Sequence, residues 1–316
     1  MGIDIHANGF VGLAFEVTYG TPVAPTRFFP IKSESMAEQY ENQKRRVIRQ
    51  VADDLGIIKG FSHVEGDIVM ELIPDVLIYF LYASRNSIVK AGTTPNFTYT
   101  TTPLHLGTTS GTPKPGLTIT IVKNGERFQY AGCVVSQLEI SQDNGIPQLK
   151  VSLVGTGEAV TTLPTATWVA TDTPMSTDMT TVEVPTAAQV FDVSEYTFTV
   201  NDNAAAQQRF NGATKAQFVA FGMREVSLSM TRDFATRTDW DAFKALTSQS
   251  VTMKFTKNAN TSVTIKVPNG VPDTYEIDGL SDQGQVTSAK ITWDGSYDTA
   301  TSKSYEIVVK SQSDIT

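Results

Sequence analysis

Three acidic side chains on one predicted strand, Glu65, Asp67 and Glu71, are the first candidates for chemistry. Glycosidases use two carboxyl groups roughly 5–10 Å apart, and side chains on one face of a strand repeat about every 7 Å. Distance alone therefore does not exclude acid–base catalysis. No aromatic subsites and no acid in an apolar setting accompany these carboxylates, so we interpret them as a solvated acidic face.

The other chemical groups lack partners at useful spacing. His6, His63 and His105 are far apart, and none has a second histidine, a cysteine or a carboxylate at metal-ligand spacing. Cys133 is the single cysteine, which excludes a disulfide framework and favours a core position. The segment 294–298 lacks the ligand spacing of a calcium loop. Nucleotide-binding and nucleophile motifs are also missing, so we expect no enzyme, no metal and no cofactor.

A strand that leads into a helix positions the acidic residues. From Val64 to Leu72 every second residue is small or apolar, a pattern typical of an antiparallel strand with one buried and one solvated face. Pro74 and Asp75 have types preferred in a first helical turn. Apolar residues then recur on one helical face, which predicts a short helix over Pro74–Ala83 that caps a β core.

Charge and composition limit the classes of partner. The 316 residues carry a net charge of −8. Residues 1–160 contain 13 Lys and Arg against 15 Asp and Glu, and residues 161–316 contain 12 against 18. Neither half is basic, which argues against tight phosphate binding. We expect no secretory signal and no membrane association, because the longest apolar run, 68–83, is too short to cross a bilayer.

The first half contains three segments without a clear strand pattern. Residues 1–26 are punctuated by glycine and proline and are predicted to form an irregular arm, followed by a strand at 27–36. Residues 87–115 are predicted to be loop with a short strand at 97–100. The most charged stretch, 37–60, is either a surface loop or an extended arm on a neighbouring subunit. Its several large aliphatic residues favour the arm.

The same order of elements is predicted twice. In the first half, strand and helix are followed by a hairpin around Asn124-Gly125 and by a closing hairpin. In the second half, a strand at 224–232 precedes a helix at 240–246, for which Asp239 is the predicted N-cap, and two hairpins follow. This recurrence predicts an internal duplication. The expected boundaries are a first domain at 1–160, a linker at 161–189 and a divergent second domain at 190–316.

An ordered set of segments resembles one known family. Its members are a Tyr-Gly-Thr-Pro turn at 19–22, the charged arm at 38–60, the acidic strand at 64–72, the helix at 74–83, a Tyr-Ala-Gly-Cys strand at 130–133 and a closing Val-Gly-Thr-Gly at 154–157. In this order they resemble the tail tube (major tail) proteins of long-tailed bacteriophages. The resemblance covers residues 1–160 by motif and 190–316 by topology.

The resemblance implies a mainly β fold, here two tandem β-sandwich or barrel domains, each with a short flanking helix. In this family six tube domains line a ring, and rings stack into a tube through which viral DNA is ejected. A chain with two such domains would need three copies per ring; six chains would be needed if 190–316 were an outward decoration. Implied partners are other copies, the tape measure, tail terminator and tail tip proteins, and DNA in transit. Assembly is expected in the host cytoplasm.

Two sets of residues are candidates for these roles. An acidic, hydroxyl-rich surface would let DNA slide without binding, and the candidate lumen-facing residues are Glu65, Asp67, Glu71, Ser227, Ser229 and Thr231. The candidate inter-subunit or inter-ring arm contains Lys44, Arg45, Arg46, Val47, Ile48 and Arg49. Two alternatives stay open: a β-sandwich carbohydrate or surface binder, and a secretion-system tube protein.

Overall fold

The computed structural model describes residues 9–46, 56–105, 116–143, 145–159, 162, 164–169, 172–185, 188–209, 212–278 and 287–315. Its helices are α1 (Pro74–Ala83) and α2 (Thr238–Lys244). The described strands are β1 (Phe10–Phe15), β2 (Arg27–Phe29), β3 (Ser33–Glu34), β4 (Ala37–Tyr40), β5 (Gln43–Lys44), β6 (Ile57–Ile58), β7 (Ser62–Glu71), β8 (Asn86–Thr93), β9 (Asn96–Pro103), β10 (Leu117–Lys123), β11 (Glu126–Asp143), β12 (Ile146–Gly155), β13 (Gly157–Ala159), β14 (Thr180–Glu183), β15 (Gln189–Val190), β16 (Val193–Asn201), β17 (Ala205–Gln207), β18 (Phe218–Ala220), β19 (Glu225–Asp233), β20 (Gln249–Asn258), β21 (Thr261–Ile277), β22 (Ser288–Gly295) and β23 (Glu306–Ser311). The predicted mainly β class is confirmed.

Two long strands, β11 and β21, each pair with different strands along their first and last parts. The first part of β11 pairs with β10 and β13, and its last part pairs with β12 and β16. Gly132 lies next to the point where the partner of β11 changes from β10 to β12. Its φ of 62° is in the left-handed region, which glycine adopts more readily than other residues. Likewise, the first part of β21 pairs with β20 and β23, and its last part pairs with β22.

The last parts of the long strands belong to one continuous sheet. Its strand order is β3/β4, β7, β12, β11, β16, β19, β22 and β21, and every neighbouring pair is antiparallel. One face is buried, as the alternation in β7 and β19 predicts, and the other is polar. The contact between β11 and β16 joins strands of the two halves of the chain.

Strand pairing recurs at a constant interval of 162 residues. Ala37 pairs with Glu65, and adding 162 to both numbers gives the observed pair Thr199 and Ser227. The rule extends to the small hairpins, where the pairing of β5 with β6 recurs as the pairing of β17 with β18. The buried Met36 corresponds in the same way to the buried Phe198.

The long strands correspond at an interval of 137 residues. Along the β11–β12 ladder the register shifts between Val135 and Gln137. Along the β21–β22 ladder it shifts between Pro272 and Thr274, which are the same positions after addition of 137. A β-bulge is a specific local irregularity, so its recurrence fixes the alignment of the two strands to the residue.

The first helix begins and ends as predicted. Pro74 is at the first helical position, where its missing N–H costs no hydrogen bond. The helix is more enclosed than a flanking helix, because it packs against strands β8, β11, β21 and β23 and its aliphatic residues are buried on several sides.

The second helix begins at Thr238, so the prediction of Asp239 as N-cap is wrong. The Asp239 carboxylate instead lies 2.7 Å from Arg232.

Three stretches have more strand than the sequence predicted. The expected irregular arm contains β1, which pairs with β2 and β10. The stretch 87–115 was expected to be loop with a short strand at 97–100. That strand is confirmed as part of β9, which forms a hairpin with β8 and also pairs with β23. The range 161–189 includes β14, which pairs with β20 of the second half. Short strands with glycine or threonine give weak local patterns, and pairing with distant strands stabilises them.

Candidate functional site

The six predicted lumen-facing residues lie on one face of the continuous sheet. Directly opposed residues in antiparallel strands point to the same face. One row across the sheet consists of Asp67, Ser152, Gln137, Asn201 and Glu225. A second row consists of Glu71, Gln148, Ser141, Thr197 and Ser229. Alternation along β7 and β19 adds Glu65, Ser227 and Thr231 to this polar face.

The polar face is strongly acidic. Its carboxylates include Glu65, Asp67, Glu71, Glu139, Glu195, Glu225, Glu276 and Asp294. In the ladders of this sheet the lysines on the same face are Lys150 and Lys290. Lys150 Nζ is 3.1 Å from Asp67 Oδ2, so part of that positive charge is already neutralised. Sequence analysis identified fewer than half of these carboxylates, because only pairing between distant strands brings them together.

The acidic residues of β7 lie beside a histidine. His63 Nε2 lies 3.5 Å from Glu65 Oε2, and the imidazole stacks on Phe61. No group of three or more metal-ligating side chains is found in the described residues. Cys133 is completely buried, and burial raises the pKa of its thiol, in agreement with the predicted core role.

The charged arm begins as a small exposed hairpin. Lys44 pairs with Ile57 in the β5–β6 ladder, and the Arg45 N–H donates to Gly56 O at 2.9 Å. Arg46 is exposed. Val47, Ile48 and Arg49 lie outside the described residues. At the base of the hairpin Ile57 is 67% exposed and Ile58 is 56% exposed, an apolar surface that a lone chain leaves in water.

The corresponding hairpin of the second half, β17–β18, is covered by the first half. The Val219 N–H donates to Tyr19 Oη at 3.2 Å, and the Ser62 N–H donates to Thr214 O at 2.8 Å. Val219 and Ala220, the counterparts of Ile57 and Ile58, are partly buried. Sequence analysis did not predict this hairpin. The paired residues Lys44 and Ile57 of the first hairpin are as far apart in sequence as Ala206 and Val219 of the second. This equal spacing was the signal that could have revealed the correspondence of the two hairpins.

Comparison with known proteins decides the family. A family model described as phage tail tube protein matches residues 7–301. The chain belongs to the phage tail tube protein family. A search of curated proteins gives no match. The suspected resemblance is therefore confirmed, and the chain is a structural protein of the virion tail. None of its described helices is long and apolar enough to cross a membrane.

In this tail tube protein a buried ionic network lies where the two halves meet. Asp202 follows β16 and is 2% exposed. Its Oδ1 lies 2.6 Å from Arg224 Nε, and its Oδ2 accepts the Arg85 backbone N–H at 3.3 Å. The Arg85 guanidinium donates to Gly222 O at 2.9 Å, and burial lowers the pKa of this arginine. The paired charges hold the end of α1 against the second half.

A second buried network holds the start of the tail tube protein in place. Glu16 Oε1 accepts the Gly132 N–H at 2.7 Å and the Thr118 hydroxyl at 2.9 Å, and Oε2 accepts the Gly20 N–H at 2.7 Å. Burial nevertheless raises the pKa of Glu16, because desolvation outweighs these hydrogen bonds. Tyr19 donates to Gly132 O at 3.0 Å. The Tyr-Gly-Thr-Pro turn is therefore an anchoring element of this fold.

Proposed function

We propose that this tail tube protein polymerises into stacked rings that form the tail tube, the conduit for DNA ejection into the host. The polar face of the continuous sheet carries the proposal. A lumen for DNA must neither attract phosphates nor offer apolar surface to bases. Carboxylates repel phosphate and prevent the counterion release that drives DNA binding, and hydroxyl groups keep the surface wet. The candidate lining residues are Glu65, Asp67, Glu71, Ser227, Ser229 and Thr231.

Each chain contributes two tube domains in this proposal. The first occupies residues 1–160 and the second 190–316, with 161–189 between them. The intervals of 162 and 137 residues in the strand pairing support this division, and β14 extends the second domain towards residue 180. Three chains then supply six domains and give a trimeric ring with pseudo-sixfold symmetry. A ring also pairs sheet edges that are an aggregation hazard in a monomer.

The charged arm is proposed to hold subunits together. Its cations at Lys44, Arg45, Arg46 and Arg49 would meet acidic surface on a neighbouring subunit or ring. Further proposed partners are the tape measure protein inside the tube, and the terminator and tip proteins at its ends. Assembly takes place in the host cytoplasm in this proposal.

The alternative of a carbohydrate-binding module receives less support. Such a module needs exposed aromatic rings side by side. Trp168 is 55% exposed, whereas Trp293 is fully buried and Trp240 packs against Phe243 and Tyr275. The tryptophans therefore do not form a common platform. A secretion-system tube protein shares the expected fold, and rings formed by a single-domain fragment would favour it.

Negative-stain electron microscopy of the purified protein tests the proposal. We expect stacked annuli with a central hole wide enough for duplex DNA. Mass per ring, measured by native mass spectrometry or scattering, distinguishes three chains from six. A protein that stays monomeric at high concentration would overturn the proposal and favour a binding module.

A further inference from the structure

We propose that neighbouring copies join by antiparallel pairing of the last part of β21 in one copy with β3 and β4 of the next, with Glu276 opposite Ala37. This inference rests on the proposed ring and identifies the surfaces that close it. The occupant of each surface is a second copy of this chain. The reasoning starts from the contact that the chain already makes with itself.

That internal contact is the pairing of β11 with β16. Its central pair is Glu139 and Thr199. The Asp202 N–H donates to Ser136 O, so alternation along β16 turns the N–H groups of Val200 and Phe198 toward β11 and that of Thr199 away. Glu139 and Thr199 are therefore a non-hydrogen-bonded pair, the type in which the two side chains approach most closely.

Translation of this pair along the chain gives the intermolecular register. Addition of 137 converts Glu139 to Glu276, in line with the matching bulges of the long strands. Subtraction of 162 converts Thr199 to Ala37, in line with the matching ladders. The neighbouring pairs predicted in the same way are Thr274 with Gln39, Tyr275 with Glu38, Ile277 with Met36, and Asp278 with Ser35.

Both edges are open in the described residues. β3 and β4 pair with β7 on one side only, and the last part of β21 pairs with β22 on one side only. The hydrogen-bonding directions also agree. The Ser35 N–H donates to Asp67 O, so the Met36 N–H points away from β7. In the single chain this outward N–H donates to Glu34 Oε2 at 3.1 Å, a local substitute for a strand.

Apolar exposure at the two edges fits a missing neighbour. Ile140 is fully buried beside β16, whereas its counterpart Ile277 is 42% exposed. The first-half residues Ile57 and Ile58 are likewise exposed where their counterparts on β18 are covered. The proposed pairing would cover all three isoleucines, because it gives β21 the neighbour that β11 has and gives the β5–β6 hairpin the support that β17–β18 has.

In this arrangement two different surfaces meet at each contact between copies. The copies therefore close into a ring only if the rotation from one copy to the next divides a full turn evenly. The internal and intermolecular contacts are equivalent in this scheme, and one ring contains three of each. Each contact then relates neighbouring domains by about one sixth of a turn.

Disulfide trapping of the double variant Ala37→Cys/Glu276→Cys tests the register. A non-hydrogen-bonded pair has Cα atoms about 4.5 Å apart, within the range that a disulfide spans. Mild oxidation of assembled rings should give a ladder that ends at a covalent trimer on non-reducing gels. A mixture of the two single variants should stop at dimer. The native Cys133 is fully buried and gives a clean background.

Two matched variants make the result decisive. Glu139→Cys/Thr199→Cys should form an intramolecular disulfide in the monomer, which verifies the template. Gln39→Cys/Glu276→Cys is two residues out of register and should cross-link at least tenfold more slowly. Rings that form without the Ala37–Glu276 cross-link would overturn this inference and leave the proposed function intact. A ladder that ends at six chains would contradict the trimer, and absence of any ring would overturn the proposed function itself.

Discussion

Ile140 and Ile277 occupy corresponding positions in the two long strands, yet Ile140 is fully buried and Ile277 is 42% exposed. The difference arises because β16 lies beside Ile140, whereas no described strand lies on the same side of Ile277. An isoleucine therefore stabilises the fold of the single chain at position 140, whereas at position 277 it is available for contact with another chain.

Alanine substitution should separate these two roles. In the monomeric protein, Ile140→Ala should lower the free energy of unfolding by about 2–5 kcal/mol, through lost burial and a cavity. Ile277→Ala should change it by less than about 1 kcal/mol, because the side chain is already partly in water. Urea unfolding below the concentration of assembly measures both. Equal losses at the two positions would contradict the open edge.

The buried carboxylate of Glu16 should make stability depend on pH in a defined direction. Its folded-state pKa is raised by burial, so the native state binds more protons than the unfolded state between the usual and the raised pKa. This contribution to stability is fully present below the unfolded-state pKa and is lost as the pH rises through the folded-state pKa. Wild type should therefore gain stability relative to Glu16→Gln as the pH falls from 7 into this window.

Unfolding free energies at several pH values for wild type and Glu16→Gln measure this effect. The matched control is Glu126→Gln, since Glu126 is an exposed residue at the start of β11. This control measures what the same Glu→Gln change does at a solvent-exposed position. A wild-type advantage that shrinks as the pH falls would mean that the hydrogen bonds from Gly132, Gly20 and Thr118 outweigh desolvation.

Charge reversal in the arm should block assembly without unfolding the chain. The triple variant Arg45→Glu, Arg46→Glu and Arg49→Glu replaces attraction to an acidic neighbour with repulsion. Sedimentation and electron microscopy should show monomers in place of tubes, with a circular dichroism spectrum and unfolding midpoint like those of wild type. Normal tubes from this variant would refute the role of the arm.

Charge reversal on the polar face should convert the tube interior into a DNA-binding surface. In Glu65→Lys/Glu71→Lys, each chain loses two negative charges and gains two positive ones, so its net charge becomes more positive by four, and every copy in the ring changes in the same way. We expect short duplex DNA to bind assembled tubes, with an affinity that falls steeply as salt rises, whereas wild-type tubes should not bind it. Fluorescence anisotropy across a salt series measures this.

A control with the same charge change distinguishes the polar face from the rest of the surface. Glu126 and Asp241 are both exposed, and Asp241 belongs to α2, which packs through Tyr275 on the opposite side of the sheet from Glu276. Glu126→Lys/Asp241→Lys tubes should bind DNA much more weakly than the polar-face variant. Equal binding by both variants would contradict an acidic lumen.

Local patterns were enough to predict several elements, and α1 was predicted to the residue. Pro74 marks the start of α1 because proline suits the first helical position. The hairpin after β10 was predicted from Asn124-Gly125, and both residues have the positive φ that such a turn requires. The alternation in β7 and β19 correctly divided buried from solvated side chains. Each of these signals is encoded in residues adjacent along the chain.

Elements with weak local signals were missed. The strand β1 contains Gly12, whose Cα lies so close to Phe28 that a Cβ would be 2.8 Å from the ring. This glycine lowers strand propensity but is required by packing. Similarly, β8 was predicted to be loop, and of β9 only the part at 97–100 was predicted as strand, because the pairing of β9 with β8 and with β23 cannot be seen in the local sequence.

The sequence by itself was enough to predict the strands that have clear alternation, which face of each of these strands is buried, and where α1 lies. Only the tertiary structure decided that β16 pairs with β11 and so merges the two halves into one sheet with a single acidic face. The reason is physical. Alternation specifies the two faces of a strand, whereas the partner at each edge is selected by backbone hydrogen bonds that every strand offers alike, so only packing of the whole chain makes that choice.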